Sequence, residues 1–183
     1  MTDERAGLLM LSFFKTYIHI VDLFNRRMGR LMMYGIFVLM GILMWSSISK
    51  VFFKPSLWTL EMAQFAMVAY YILGGPYSMQ LGSDVRMDLF YGSWSTRKKA
   101  WVDAFTVFFL IFYLGVLLYG GWDSLYYSFQ YGERSATSWR PYLWPIKVLT
   151  CLGFVMMILQ SLSEFFKDIL ILKGHPNPRE VTP

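Results

Sequence analysis

The chain has 183 residues, of which 56% are hydrophobic and 19% aromatic, with a formal net charge of +5 and one cysteine. Its apolar residues fall in long blocks, which excludes an ordinary soluble domain and points to membrane helices. A single cysteine, Cys151, excludes an internal disulfide and any CxxC chemistry. The modest basic surplus needs no nucleic acid, because anionic lipid is the default partner of basic residues beside a membrane span.

The first residues, "MTDERAGLLML", mix acids with bases and are followed by no small-residue cleavage site. We therefore expect no cleaved leader here, with the first span acting as the insertion signal. In "LLMLSFFKTYIHIVDLFNRRMGR", Leu9, Phe13, Tyr17, Ile20 and Phe24 recur at helical steps. Lys15, His19, Asp22 and Arg26 fall on another face. This predicts an amphipathic interfacial helix over 1–29, serving as an anchor or as a brace against a partner.

Residues 31–49 and 62–83 carry no charge, and neither do 148–163. The block 100–122 holds a single acid, Asp103. About 20 apolar residues cross a hydrocarbon core of roughly 30 Å. Four spans follow, at about 30–49, 57–80, 100–122 and 143–163, within a transmembrane domain of 30–163. Lys147 is expected to reach for the headgroups. Only helices or closed barrels satisfy their backbone in lipid, and nothing alternates as a barrel strand would, so the fold class is an all-α membrane protein.

Span two opens at "PSLWTLEMAQF", where Pro55 suits a first helical turn. Glu61 then lies only about 7–8 Å below the helix start at 1.5 Å per residue. That depth leaves three readings open: a wet interfacial acid, an acid paired with a basic group on a neighbouring helix or partner, or a proton or ion site. The span ends in Gly74, Gly75 and Pro76, residues able to kink it. The loop "SDVRMDLFYGSWSTRKK" follows, with Asp84, Arg86 and Asp88 at its start and Ser95 as a candidate N-cap. Asp103 is expected to pair with Lys98 or Lys99 one turn away.

The segment "DSLYYSFQYGERSATSWRPYLWP" reads as a long outer loop, with Gly132, Glu133 and Ser135 at its turn and Trp139 and Trp144 as interface anchors. Pro145 fits the first turn of span four. Residues 164–183 form an amphipathic exit and a Pro-rich, disordered tail. Twelve of the seventeen Lys and Arg residues lie in the arm, the loop after span two and the tail. The positive-inside rule therefore places both termini in the cytoplasm.

No histidine falls within a span, and the chain has no GxSxG, P-loop or HExxH motif. That argues against an enzyme and leaves no residue set for a cofactor, catalytic or metal site. The membrane interior also carries few groups from which to build a transport pathway.

Several stretches resemble the small membrane subunit (DctQ-like) of tripartite ATP-independent periplasmic (TRAP) transporters. Trp58, Thr59, Leu60 and Glu61 stand where that family often reads W-T-E-E, with Leu60 and Gln64 departing from its acidic and basic positions. Asp84-Val85-Arg86-Met87-Asp88 matches the core of H-V-R-x-D, with Asp84 in place of histidine. Gly132, Glu133 and Ser135 match G-E-x-S, while Trp144, Pro145, Gly153, Leu159 and Gln160 follow a looser later pattern.

The resemblance implies a scaffold subunit in a bacterial or archaeal cytoplasmic membrane. It steadies a large elevator-type membrane subunit (DctM-like), which is served by a periplasmic binding protein (DctP-like). It implies sodium-driven uptake of an organic acid, with sodium held only in the large subunit. Trp58, Glu61, Arg86, Asp88, Gly132, Glu133, Ser135, Trp144, Pro145 and Gln160 become structural or partner-interface residues. The alternative is a stand-alone proton-coupled exporter that uses Glu61 as its carrier.

Overall fold

A computed structural model describes residues 2–54, 56–82 and 96–172, all of it helix and short connections. Four helices run up and down in chain order: α1 (Thr2–Phe52), α2 (Thr59–Leu81), α3 (Thr96–Tyr131) and α4 (Trp144–Leu172). Arg86, Asp88, Ser95 and the tail from 173 lie outside the described residues.

Among the described residues, three helices are long and apolar enough to cross a bilayer, over Phe13–Phe52, Trp101–Tyr131 and Trp144–Leu172. α2 has 23 residues, about 35 Å at the helical rise, and carries Glu61, Gln64 and Gln80. The chain is a multi-pass membrane protein.

α1 and α2 form an antiparallel pair. Along α1, Met32, Gly35, Leu39, Ile42, Ser46 and Ser49 are covered, at alternating steps of three and four. Thr59, Ala63, Ala66, Tyr70, Leu73, Tyr77 and Gln80 form the matching stripe on α2. This is the coiled-coil seam, and its small residues let the backbones approach. A Cβ built on Gly29 would lie 2.2 Å from Cγ of Tyr77.

α4 is the central helix. A third of its most apolar stretch is buried (33%), against 6% for α1 and α3. It runs parallel to α2, and Gly153 sits so close to Ile72 that an added Cβ would lie 1.8 Å from Cγ2. α3 packs on α4, where Gly121 faces Cys151 and Phe154. Phe129 meets Trp144 edge-on at 6.3 Å. The N-terminal part of α1 crosses to α4, where Phe14 stacks on Phe166 at 4.5 Å.

Several elements depart from the boundaries read above. The arm and the first span are one unbroken helix, with no interruption at residue 30. Backbone hydrogen bonds run past Arg26, Arg27 and Arg30, because a charge on the outside of a helix breaks none of them. Residues 123–131 belong to α3, so the outer loop shortens to 132–143. α2 continues through Pro76 to Leu81 and ends on Gly82, which at φ 62° takes the left-handed conformation glycine tolerates.

Candidate functional site

Polar side chains gather at the two ends of the bundle. At the end that carries the 132–143 loop, termed the outer end after its expected orientation, Thr59 donates to Ser46 Oγ at 3.1 Å, and Ser56 joins Thr59 to Ser49 at 3.0 and 3.1 Å. These hydroxyls close the top of the α1–α2 pair. Two residues on, Glu61 is 3% exposed, and its Oε1 accepts a hydrogen bond from Ser135 at 3.2 Å. Among the described residues, its buried Oε2 has no hydrogen-bond partner.

Ser135 is held by its own loop. Gly132 (φ 58°) ends α3 in the left-handed conformation, and the chain returns through a bridge between Arg134 and Tyr142. The Ser135 amide donates to Pro141 O at 3.0 Å, and Leu143 N donates to Glu133 O at 3.1 Å. The Arg134 guanidinium lies 4.2 Å over the Tyr142 ring and donates to its hydroxyl.

Glu133 fastens this loop to α4. It pairs with Lys147 at 2.6 Å and accepts from Ser128. Lys147 also donates to Ser124 O at 3.3 Å. It turns toward the loop and α3, where a carboxylate and a carbonyl lie within its reach. The hydrogen bonds from Lys147 and then Ser128 hold the Glu133 carboxyl below its ordinary pKa against an opposing desolvation, with the Lys147 charge a lesser contribution.

The inner cluster joins α1 to α4 and centres on Gln160, which is fully buried. Asn25 Nδ2 donates to Gln160 Oε1 at 2.6 Å, and Gln160 Nε2 donates to Asp22 Oδ1 at 3.2 Å and to Glu164 Oε1 at 3.3 Å. Ser163 adds a bond to Asp22 Oδ1 at 3.1 Å. Lys167 pairs with Asp22 Oδ2 at 2.7 Å and with Glu164 at 2.8 Å. Asp22 does not share the polar face of Lys15 and His19, because it is only 6% exposed and turned into this cluster.

The motif residues are thus divided between the ends. The fold brings Glu61, Gly132, Glu133, Ser135, Trp144 and Pro145 together at the outer end, where Trp144 and Pro145 open α4. Trp58 caps α2 through its backbone carbonyl, which accepts from Met62 N at 3.0 Å. Gln160 belongs to the other end. Sequence reasoning passed over Asn25, Ser163 and Lys167, and it placed Asp22 on the wrong face. A signal was present: Gln160, Ser163, Glu164 and Lys167 are spaced i, i+3, i+4 and i+7, a polar stripe along an apolar helix. Among the described residues, no group of three or more His, Cys, Asp or Glu is placed to hold a metal ion.

Both clusters fasten helices to one another, while the apolar sides of α1 and α3 stay open. Residues 39–170, which span both clusters apart from Asp22 and Asn25, match the family model for tripartite ATP-independent periplasmic transporters, DctQ component. The chain belongs to the DctQ family. A search of curated proteins found no match. As a DctQ component, the chain is a TRAP transporter small subunit, and the family is one of transport components, not of known enzymes.

Proposed function

We propose that this DctQ chain is the scaffold subunit of a sodium-driven, binding-protein-dependent uptake system for an organic acid. In this reading all four helices span the cytoplasmic membrane of a bacterium or archaeon, with both termini inside. The chain holds a large DctM-like elevator subunit, which carries the substrate and the sodium, and a periplasmic DctP-like protein delivers the cargo.

The observation that carries the reading is the way the polar groups are spent. The buried ion pair ties one helix to another, and Glu61 is fastened to the outer loop, as a support requires. A support needs a fixed shape and an apolar exterior on which a companion or lipid can pack. Arg86 and Asp88 are assigned to the same supporting role on the strength of the family motif.

The test is co-purification and uptake in one strain. Replacing Arg86 by Ala lowers both the yield of the large subunit and substrate uptake. Normal assembly and normal uptake by that variant would refute the assignment, as would solute transport by this chain reconstituted alone.

A further inference from the structure

Residues 13–31 of α1 contain one acid and four Lys or Arg. The acid, Asp22, is buried against α4. Lys15, Arg27 and Arg30 are exposed, with His19 beside them. One buried ion pair therefore separates the charges of this segment, leaving its outer surface purely cationic.

The apolar residues show what lies against that surface. Phe24, Leu31, Val38 and Trp45 recur every seven residues, and each is more than half exposed or close to it, at 53%, 59%, 60% and 51%. Phe13 and Ile20 continue the stripe at 65% and 60%. At 3.6 residues per turn, all six lie on one side of the helix. The side that meets lipid across the span thus continues onto the arm, with Arg27 at its edge and Arg30, His19 and Lys15 lying progressively further round the same side.

From these observations we infer that residues 13–31 form a docking surface for anionic lipid, with headgroup phosphates held by Lys15, Arg27 and Arg30. Three features favour lipid as the occupant. The stripe is continuous with the span, its flanking charge is complementary to phosphate, and the helix is covalently bound to emerge at this surface. The Asp22–Lys167 pair orients the surface by keeping the opposite face on α4. The inference does not rest on the transporter assignment, and it can fail separately.

The test uses the full chain with Cys151→Ser, spin-labelled at Ile20→Cys or at Val38→Cys. It is placed in nanodiscs of phosphatidylcholine alone or of phosphatidylcholine and phosphatidylglycerol in equal parts. With phosphatidylglycerol, both labels are reached by oxygen and shielded from a water-soluble nickel chelate. In K15Q/R27Q/R30Q the label at Ile20 becomes open to the chelate while the label at Val38 does not. Native mass spectrometry of the wild type retains phosphatidylglycerol over phosphatidylcholine by about tenfold or more, and the triple variant loses that preference. Raising the salt weakens the wild-type preference, which gives a second reading should the variant fold poorly.

Equal retention of the two lipids overturns the inference. So does an Ile20 label that is open to the chelate in both discs, or one that is covered only when a second protein is present. Displacement of the bound lipid by inorganic phosphate would mark a free-anion site instead, and would also overturn it.

Discussion

Lys167 on α4 reaches Asp22 on α1 at 2.7 Å, and both side chains are under a tenth exposed. This pair joins two helices that are far apart in sequence, and Gln160, Ser163 and Glu164 surround it. Removing one partner of a buried pair leaves the other charge without compensation, which costs about 3–5 kcal/mol. Lys167→Met is therefore expected to lower the melting temperature of the detergent-solubilised chain sharply. The double variant Asp22→Asn with Lys167→Met recovers part of that loss. Additive losses in a double-mutant cycle would show that the two residues do not interact.

The crossing of α2 and α4 depends on the absence of one side chain. A Cβ at position 153 would lie 1.8 Å from Ile72 Cγ2 and 3.3 Å from Ile72 O. The Ile72 side chain can yield, but its backbone cannot do so without shifting the helix. Gly153→Ala is expected to destabilise by about 1–3 kcal/mol, the usual cost of overpacking. Adding Ile72→Ala relieves the side-chain clash and restores much of the difference, as read by thermal unfolding.

Among the described residues, Glu61 accepts one hydrogen bond and its second, buried oxygen has no partner. Ser135→Ala takes away the bond and is expected to cost about 1–3 kcal/mol, the range for leaving a buried polar group unsatisfied. Glu61→Gln keeps an acceptor for Ser135 and removes the buried charge, so it should be tolerated at least as well as the wild type. Proteolysis of the 132–143 loop provides the check. Ser135→Ala is cut faster, and Glu61→Gln is not.

The Glu133–Lys147 latch has a defined dependence on acid. The folded state lowers the Glu133 pKa, so the unfolded chain binds that proton more readily. The latch contributes fully above the ordinary glutamate value, and its contribution is lost as pH falls through the lowered folded value. Loop cleavage in the wild type is therefore expected to stay flat from neutral pH down to the ordinary carboxylate range and to rise only below it. Glu133→Gln is cut faster at neutral pH and loses that acid step.

The membrane character, the all-helical class and the DctQ motifs were legible in the sequence. They rest on local facts: the length of an apolar block, the need of a backbone in lipid to bond to itself, and short residue patterns. Glu61 and Ser135 were each marked by such patterns, yet nothing in the chain between them said that they would meet. That depended on how the 132–143 loop folds back over the start of α2. The inner lock was hidden for the same reason, since Asp22 reads as a water-facing carboxylate of the arm until α4 is laid against it. Hydrophobic blocks declare themselves residue by residue, but polar partners are chosen by register and crossing, which exist only once the helices have packed.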